Sequence, residues 1–424
     1  MADFFKRDVF SVGFGDQTSY DTAAAIDAAN MMEATLFDVT FAREINDLPL
    51  ARTADFEEPQ RAVGSKHGGT ISFQAPLTSQ ASGFDPTAGV PTSNNPILKL
   101  IKDFFGNEYV DPDYDNTIAA ASTASLWKVS GGETWVAGAP YAVIDGSGSF
   151  PLETCGWVKT FGTVNATMFE DTSAVPTSGK KVAPMLTFYN GTSVGQPTPR
   201  TFAMYGDASD LYCQFVGCMP QQLQISMSAG AVPMATFTYV FTDYAYATSG
   251  GGLQSVTNYQ RLAPIMGDEK GRVFINGTST GTANAEGTCG LTDLQITIDC
   301  ELTPIPCHGG AQGYSDSIVR RRVATVTGSV PWTNDLTPAF VSGSDNIFNN
   351  ALEAGTTISL SVQTGANSGK LMQFLIPAAI VKAQSSQVDQ NGLQGFDFTL
   401  GVGSYDGDGA STNAGDSDIR IAFG

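Results

Sequence analysis

Among the side chains with which this 424-residue sequence could hold a metal or act as nucleophiles, histidine and cysteine are scarce, at two and six residues. A zinc site or a Cys–His pair needs ligands at set spacings, so that their lone pairs converge on one point. Cys300 and Cys307-His308, with Cys213 and Cys218 further off, come nearest, but their spacing matches no structural zinc pattern, and free thiols near loops are the better reading. His67 and His308 each sit in a Gly-rich stretch. Tyr405-Asp-Gly-Asp-Gly409 has the opening of a calcium loop without its alternating ligands or closing glutamate, so it reads as a turn. There is no Gly-x-Ser-x-Gly elbow, phosphate loop or His-Glu-x-x-His motif. The expectation is a protein that is not an enzyme, with no catalytic residues, no cofactor and no metal.

Arg320-Arg-Arg322 is the compact basic run of the chain. Three charges fall short of a nucleic-acid-gripping surface, so Arg320, Arg321 and Arg322 are candidates for pairing with carboxylates across a subunit contact. The chain as a whole is acidic, with 42 Asp and Glu against 22 Lys and Arg and a formal net charge of −20. The acids are scattered as on a solvated surface rather than gathered in a block. Charged residues make up only 15% of the chain, and Gly, Ser, Thr, Asn and Gln take their place. Such a surface suits a β protein whose faces neighbouring subunits cover. The best apolar run, Phe374 to Val381, is too short for a bilayer and carries a proline, so no membrane span is expected. No secretory signal opens the sequence, which points to synthesis in a reducing cytoplasm with unpaired cysteines.

The elements that would position these residues are mainly strands. Apolar and polar residues alternate in Leu36-Phe-Asp-Val-Thr-Phe41, Thr70-Ile-Ser-Phe-Gln74, Leu223-Gln-Ile-Ser-Met227 and Ala235-Thr-Phe-Thr-Tyr-Val-Phe241. The second half repeats the pattern in Leu294-Gln-Ile-Thr-Ile298, Val323 to Val330, Thr357-Ile-Ser-Leu-Ser-Val362 and Phe396-Asp-Phe-Thr-Leu400. Turn-forming clusters such as Gly365-Ala-Asn-Ser-Gly369 separate them. Two helices are expected, one capped by Asn95, opened by Pro96 and ended by Gly106, the other running from Asp345 to Gly355.

Each half runs strand, long polar loop, strand ending in proline (Pro76 or Pro331), helix, then further alternating strands. A shared order with little residue identity is the mark of an old internal duplication. Matching by order sets Met185–Tyr189 against Thr357–Val362 and Leu211–Phe215 against Leu371–Leu375. It also sets Leu223–Met227 against Ala379–Lys382 and Ala235–Phe241 against Phe396–Leu400. The expected division is an arm over residues 1–30, a first domain over 31–246 with an insertion at about 107–181, a linker over 247–260 and a second domain over 261–424. Trp127, Trp135 and Trp157 mark the insertion as a folded loop or small β subdomain.

The pattern resembles the tail tube proteins of long-tailed bacteriophages. The likeness is carried by Asp38-Val-Thr-Phe41 through Lys66-His-Gly-Gly-Thr-Ile-Ser-Phe73, then by Tyr212-Cys-Gln-Phe-Val-Gly-Cys218, Leu223 to Met227, Gly230, Pro233 and Thr236-Phe-Thr-Tyr239. It implies an all-β fold of two tandem β-sandwich domains, each with a flanking helix, whose sheets join those of neighbouring copies into a barrel around a channel. It further implies a structural virion protein in the phage tail, with stacked rings of its own copies, a tape-measure protein, tail-end proteins and passing phage DNA as partners. A duplicated chain would need three copies for a pseudo-sixfold ring. The alternatives are another β-rich virion component, such as a tail terminator, distal-tail adaptor or decoration protein, and a secreted adhesin or carbohydrate-binding module.

Overall fold

The computed structural model describes residues 10–41, 45–48, 60–63, 68–78, 95–110, 116–144, 152–190, 195–205, 212–247, 272–279, 291–306, 314–331, 341–365, 370–390, 393–405 and 417–424. Short breaks fall at 21, 27, 131–134, 163, 171–174, 229, 276–277, 343–344 and 366–369. His67, Cys289, Cys307, His308 and Asp406–Gly409 lie outside the described residues, as do the first nine residues and nearly all of the expected linker.

The fold is all-β, with two short α-helices among the described residues, and it contains a sheet that curls like half a barrel. Eight strands make the curled wall: β1 (Leu36–Phe41), β2 (Gly69–Pro76), β3 (Tyr212–Ser228), β4 (Met234–Phe241), β5 (Asp293–Pro306), β6 (Tyr314–Pro331), β7 (Met372–Gln390) and β8 (Leu393–Val402). All neighbours run antiparallel, in the order β1-β2-β4-β3 and then β5-β6-β8-β7. Between the two sets, Gln222–Ser228 of β3 pairs with Asp293–Asp299 of β5, so one sheet crosses from the first half to the second.

Strict alternation forms this wall because side chains on successive strand residues point to opposite faces. Ile71, Phe73 and Ala75 of β2 and Ala235, Phe237, Tyr239 and Phe241 of β4 all face the core, where each is 0–1% exposed. Thr70, Ser72, Gln74, Thr236 and Thr238 are half-buried on the other face. Helix α1 (Pro96–Phe105) closes the core over β3. Asn95 accepts the Ile97 N–H at 2.9 Å, Pro96 occupies the first turn, and Gly106 ends the helix at φ 93°, a left-handed position open to glycine. Leu98, Leu100, Ile101, Phe104 and Phe105 are buried beneath it. Helix α2 (Ile347–Ala354) lies on β7, the corresponding strand of the second half.

The registers correct the matching of the halves by order. With Pro76 of β2 set against Pro331 of β6, the ladders align Phe37, Val39 and Phe41 with Leu294, Ile296 and Ile298. The same alignment carries Leu223 and Ile225 onto Gln384 and Ser386; beyond them the β7–β8 ladder skips Gln387, a bulge without a counterpart in the β3–β4 ladder, so that Val388 falls at Ser226. The β3–β4 ladder skips Gln221 and the β7–β8 ladder skips Lys382, at equivalent places. A second shared bulge lies between Arg200 and Phe202 in the strand Arg200–Tyr205, and between Ile358 and Leu360 in Thr357–Thr364. Arg200–Tyr205, not Met185–Tyr189, is therefore the counterpart of Thr357–Thr364. Alternation alone divides this stretch into Leu371–Leu375 and Ala379–Lys382, but residues 372–390 form one 19-residue strand. Period-2 alternation repeats in every strand and cannot say which is which; a bulge marks one position and can.

Residues 10–16 of the expected arm form a strand between Met31–Ala34 and Arg200–Tyr205, with Val12 and Phe14 in the core. From the expected insertion to just past its end, Asn116 to Pro184 builds a six-stranded sheet of its own around buried Trp127, Trp135 and Trp157. That sheet packs through Cys155, Trp157 and Phe169 onto Leu371 and Leu375 of the second half.

Candidate assembly interface

The curled wall ends in two borders. Among the described residues β1 pairs with β2 alone, and Ala383–Gln390 of β7 pairs with β8 alone. An open row of N–H and C=O groups is a template for another strand. At the equivalent place inside the chain that template is filled, β3 holding β5. The consequence is visible in burial. Leu294, Ile296 and Ile298 of β5 are 1–3% exposed, whereas Phe37 and Val39 of β1 are only partly buried and Phe41 is 46% exposed.

The face of the wall turned away from the core carries hydroxyls, amides and carboxylates. Ser72 accepts from the Thr238 hydroxyl at 3.2 Å, Gln222 donates to Asp299 at 2.7 Å, and Ser329 donates to Asp397 at 2.5 Å. Asp38 and Asp299 are exposed there.

Two buried carboxylates hold the elements behind the wall. Asp103 of α1 receives Arg200 (Nη2 to Oδ1, 2.8 Å) and the Tyr239 hydroxyl (3.0 Å), while Arg200 also meets Asp16 and lies 4.7 Å from the centre of the Phe14 ring. Burial works against the Arg200 charge, but the Asp103 and Asp16 carboxylates outweigh it and raise its pKa; burial, then Asp103, raises Tyr239 well above the usual tyrosine range. Glu170 of the insertion is fully buried and accepts from Trp157 N–H at 2.8 Å, the Ser361 hydroxyl at 2.6 Å and the Gln373 amide at 3.2 Å. Burial pushes its pKa up to about 7 against those hydrogen bonds. Neither site carried a sequence signal beyond an aspartate among the apolar residues of a helix; Glu170 had none.

Arg320, Arg321 and Arg322 lie in different surroundings. Exposed Arg320 stands 3.9 Å from Glu301 of β5. Arg321 and Arg322 line a cavity of about 250 Å³ with Phe104, Phe105, Ile298 and Lys382, and Arg322 donates to the Asp103 carbonyl at 3.3 Å. Burial lowers the Arg322 pKa. Cys155, Cys213, Cys218 and Cys300 are buried free thiols, and burial pushes Cys213 and Cys300 up to about 12. Among the described residues no group of three or more His, Cys, Asp or Glu could hold a metal ion.

A curled, eight-stranded wall with an internal strand-to-strand joint and two open borders defines a structural β protein of the self-pairing kind. The family model of phage tail tube proteins matches residues 11–421, nearly the whole chain, and the chain belongs to that family. No curated protein sequence matches it. Family membership makes it a structural component of the phage tail that assembles with its own copies into a tube. Among the described residues no helix is long and apolar enough to cross a membrane.

Proposed function

We propose that three copies close into a ring of six similar units, that rings stack into the tail tube, and that the wall's polar face lines the channel through which DNA leaves. The observation that carries this reading is the β3–β5 joint: one chain already contains the strand-to-strand step that, repeated around an axis, leaves no border open. The halves are a tandem duplication. Phe10–Asp16 runs beside Arg200–Tyr205 as Arg272–Ile275 runs beside Thr357–Thr364, so the first domain reaches back to residue 10 and continues to 246. The second covers 261–424, with residues 247–260 as the link.

The tape-measure protein and tail-end proteins are the partners at the lumen and the tube's ends, and synthesis takes place in the host cytoplasm. Hydroxyls, amides and the carboxylates Asp38, Asp299 and Asp397 give DNA phosphates no cation to hold, so each step of passage breaks no strong contact. The ends of β5 and β6 expose Ile305 and Ile318, each 38% exposed, as an apolar contact for the adjacent ring. Arg320 and Arg321 pair with carboxylates across a subunit contact. Negative-stain micrographs of the purified protein test the reading: hollow tubes with threefold rings are expected. Single closed rings would instead indicate a tail terminator, and dispersed monomers at high concentration would reject assembly.

A further inference from the structure

We infer that the seam between copies is laid in one register, copied residue for residue from the internal joint: Thr40 of β1 in one copy stands opposite Ser385 of β7 in the next. This rests on the ring reading above and specifies its joint. The internal joint pairs Gln224 with Thr297. Gln224 pairs with Thr236 and Ser385 with Asp397, which are equivalent positions of β4 and β8; Thr297 pairs with Thr325 and Thr40 with Thr70, equivalent positions of β6 and β2. The shared bulges at Gln221 and Lys382 fix this alignment at the strand that matters, because a slip by one residue would put the bulges out of step and turn every side chain to the wrong face.

The same register sets Val39 and Phe41 of one copy against Ser386 and Gln384 of the next. Three observations at the borders fit it. The half-buried Gln384 carries an Oε1 without a hydrogen-bond partner. Phe41 is 46% exposed on one border, and Leu352 of α2 and Ile380 of β7 are 39% and 45% exposed at the other. In the internal joint α1 packs on both β3 and β5, and Ile298 lies in the cavity lining with Phe104 and Phe105 of α1. Phe41 is the counterpart of Ile298, so it enters beneath α2, where Leu352 is waiting without cover.

Paired cysteines read the register. Directly opposed strand residues lie within disulfide reach, whereas a neighbour two positions along does not. Three double variants, each with Thr40→Cys and one of Ala383→Cys, Ser385→Cys or Gln387→Cys, are assembled into tubes, oxidised and run on non-reducing gels beside the unsubstituted chain. The Ser385 variant is expected to cross-link into covalent trimers about tenfold faster than the other two. Fastest linking in the Ala383 or Gln387 variant, or none in any tube, overturns the register while the micrographs leave the tube reading standing. If the unsubstituted chain makes neither tubes nor rings, both readings fall. Since a double variant that fails to assemble reports nothing on register, Phe41→Cys with Gln384→Cys serves as an independent pair one residue along.

Discussion

The internal joint and the open borders occupy equivalent backbone positions, yet their side chains differ. Leu223, Ile225 and Met227 meet Leu294, Ile296 and Ile298 where the partner strand is always present. At the borders the β7 positions equivalent to Leu223 and Ile225 become Gln384 and Ser386, while β1 keeps Phe37, Val39 and Phe41. A strand covered from the moment of folding can be wholly apolar. One that waits for another molecule is safer half polar, because an open apolar edge invites unwanted pairing. The largest expected effect uses this contrast. Ile296→Asp buries an unpaired charge in the joint and should cost more than about 4 kcal/mol, enough to leave little folded protein in urea or thermal titrations. Val39→Asp, at the equivalent border position, should leave the monomer folded and abolish rings. If both variants fold equally well, the two sites do not differ as described.

Behind the wall, the two buried carboxylates offer a second contrast. Asp103 is matched by the Arg200 guanidinium, whereas Glu170 is held by neutral donors. Arg200→Ala strands Asp103 without its cation and should destabilise the subunit by roughly 3–5 kcal/mol. Glu170 acts through pH. Its pKa rises from about 4.5 unfolded to about 7 folded, so the folded state binds the proton more tightly. Its contribution is fully present below pH 4.5, declines between pH 4.5 and 7 and is gone above, a swing on the order of 3 kcal/mol. Glu170→Gln should flatten that slope in denaturant titrations across the same range; an unchanged slope would mean the carboxyl is not the group responsible.

Much of the wall was legible in the sequence because alternation, the Pro96 helix and the two prolines ending β2 and β6 are local signals. Leu36–Phe41 was bounded to the residue and Ala235–Phe241 to within one, the strand beginning at Met234. The long strand Met372–Gln390 reads as two, since Pro377 and the Lys382 bulge interrupt its alternation where pairing with three other strands keeps it continuous. Phe10–Asp16 was read as an arm because Gly13 and Gly15 thin its pattern. They are required there: a side chain at Gly15 would meet the Ala25 carbonyl at 2.1 Å. The Asp103–Arg200 pair joins residues 97 apart, a distance no local spacing rule spans.

The smallest expected effect separates the members of the arginine run. As single changes, Arg320→Ala and Arg321→Ala remove exposed guanidiniums, and the 3.9 Å contact of Arg320 with Glu301 is open to water and salt. Each should alter subunit stability by less than about 1 kcal/mol. Arg322→Ala should cost more, because its guanidinium is bonded to the Asp103 carbonyl beside the Cys300 thiol. If Arg320 and Arg321 serve a subunit contact, removing both shifts the protein concentration needed for polymerisation, as read by light scattering, and the shift shrinks as salt rises. An unchanged threshold at low salt would leave them as solvated charges, and the seam between copies would then depend on its strand pairing and on Phe37, Val39 and Phe41 alone.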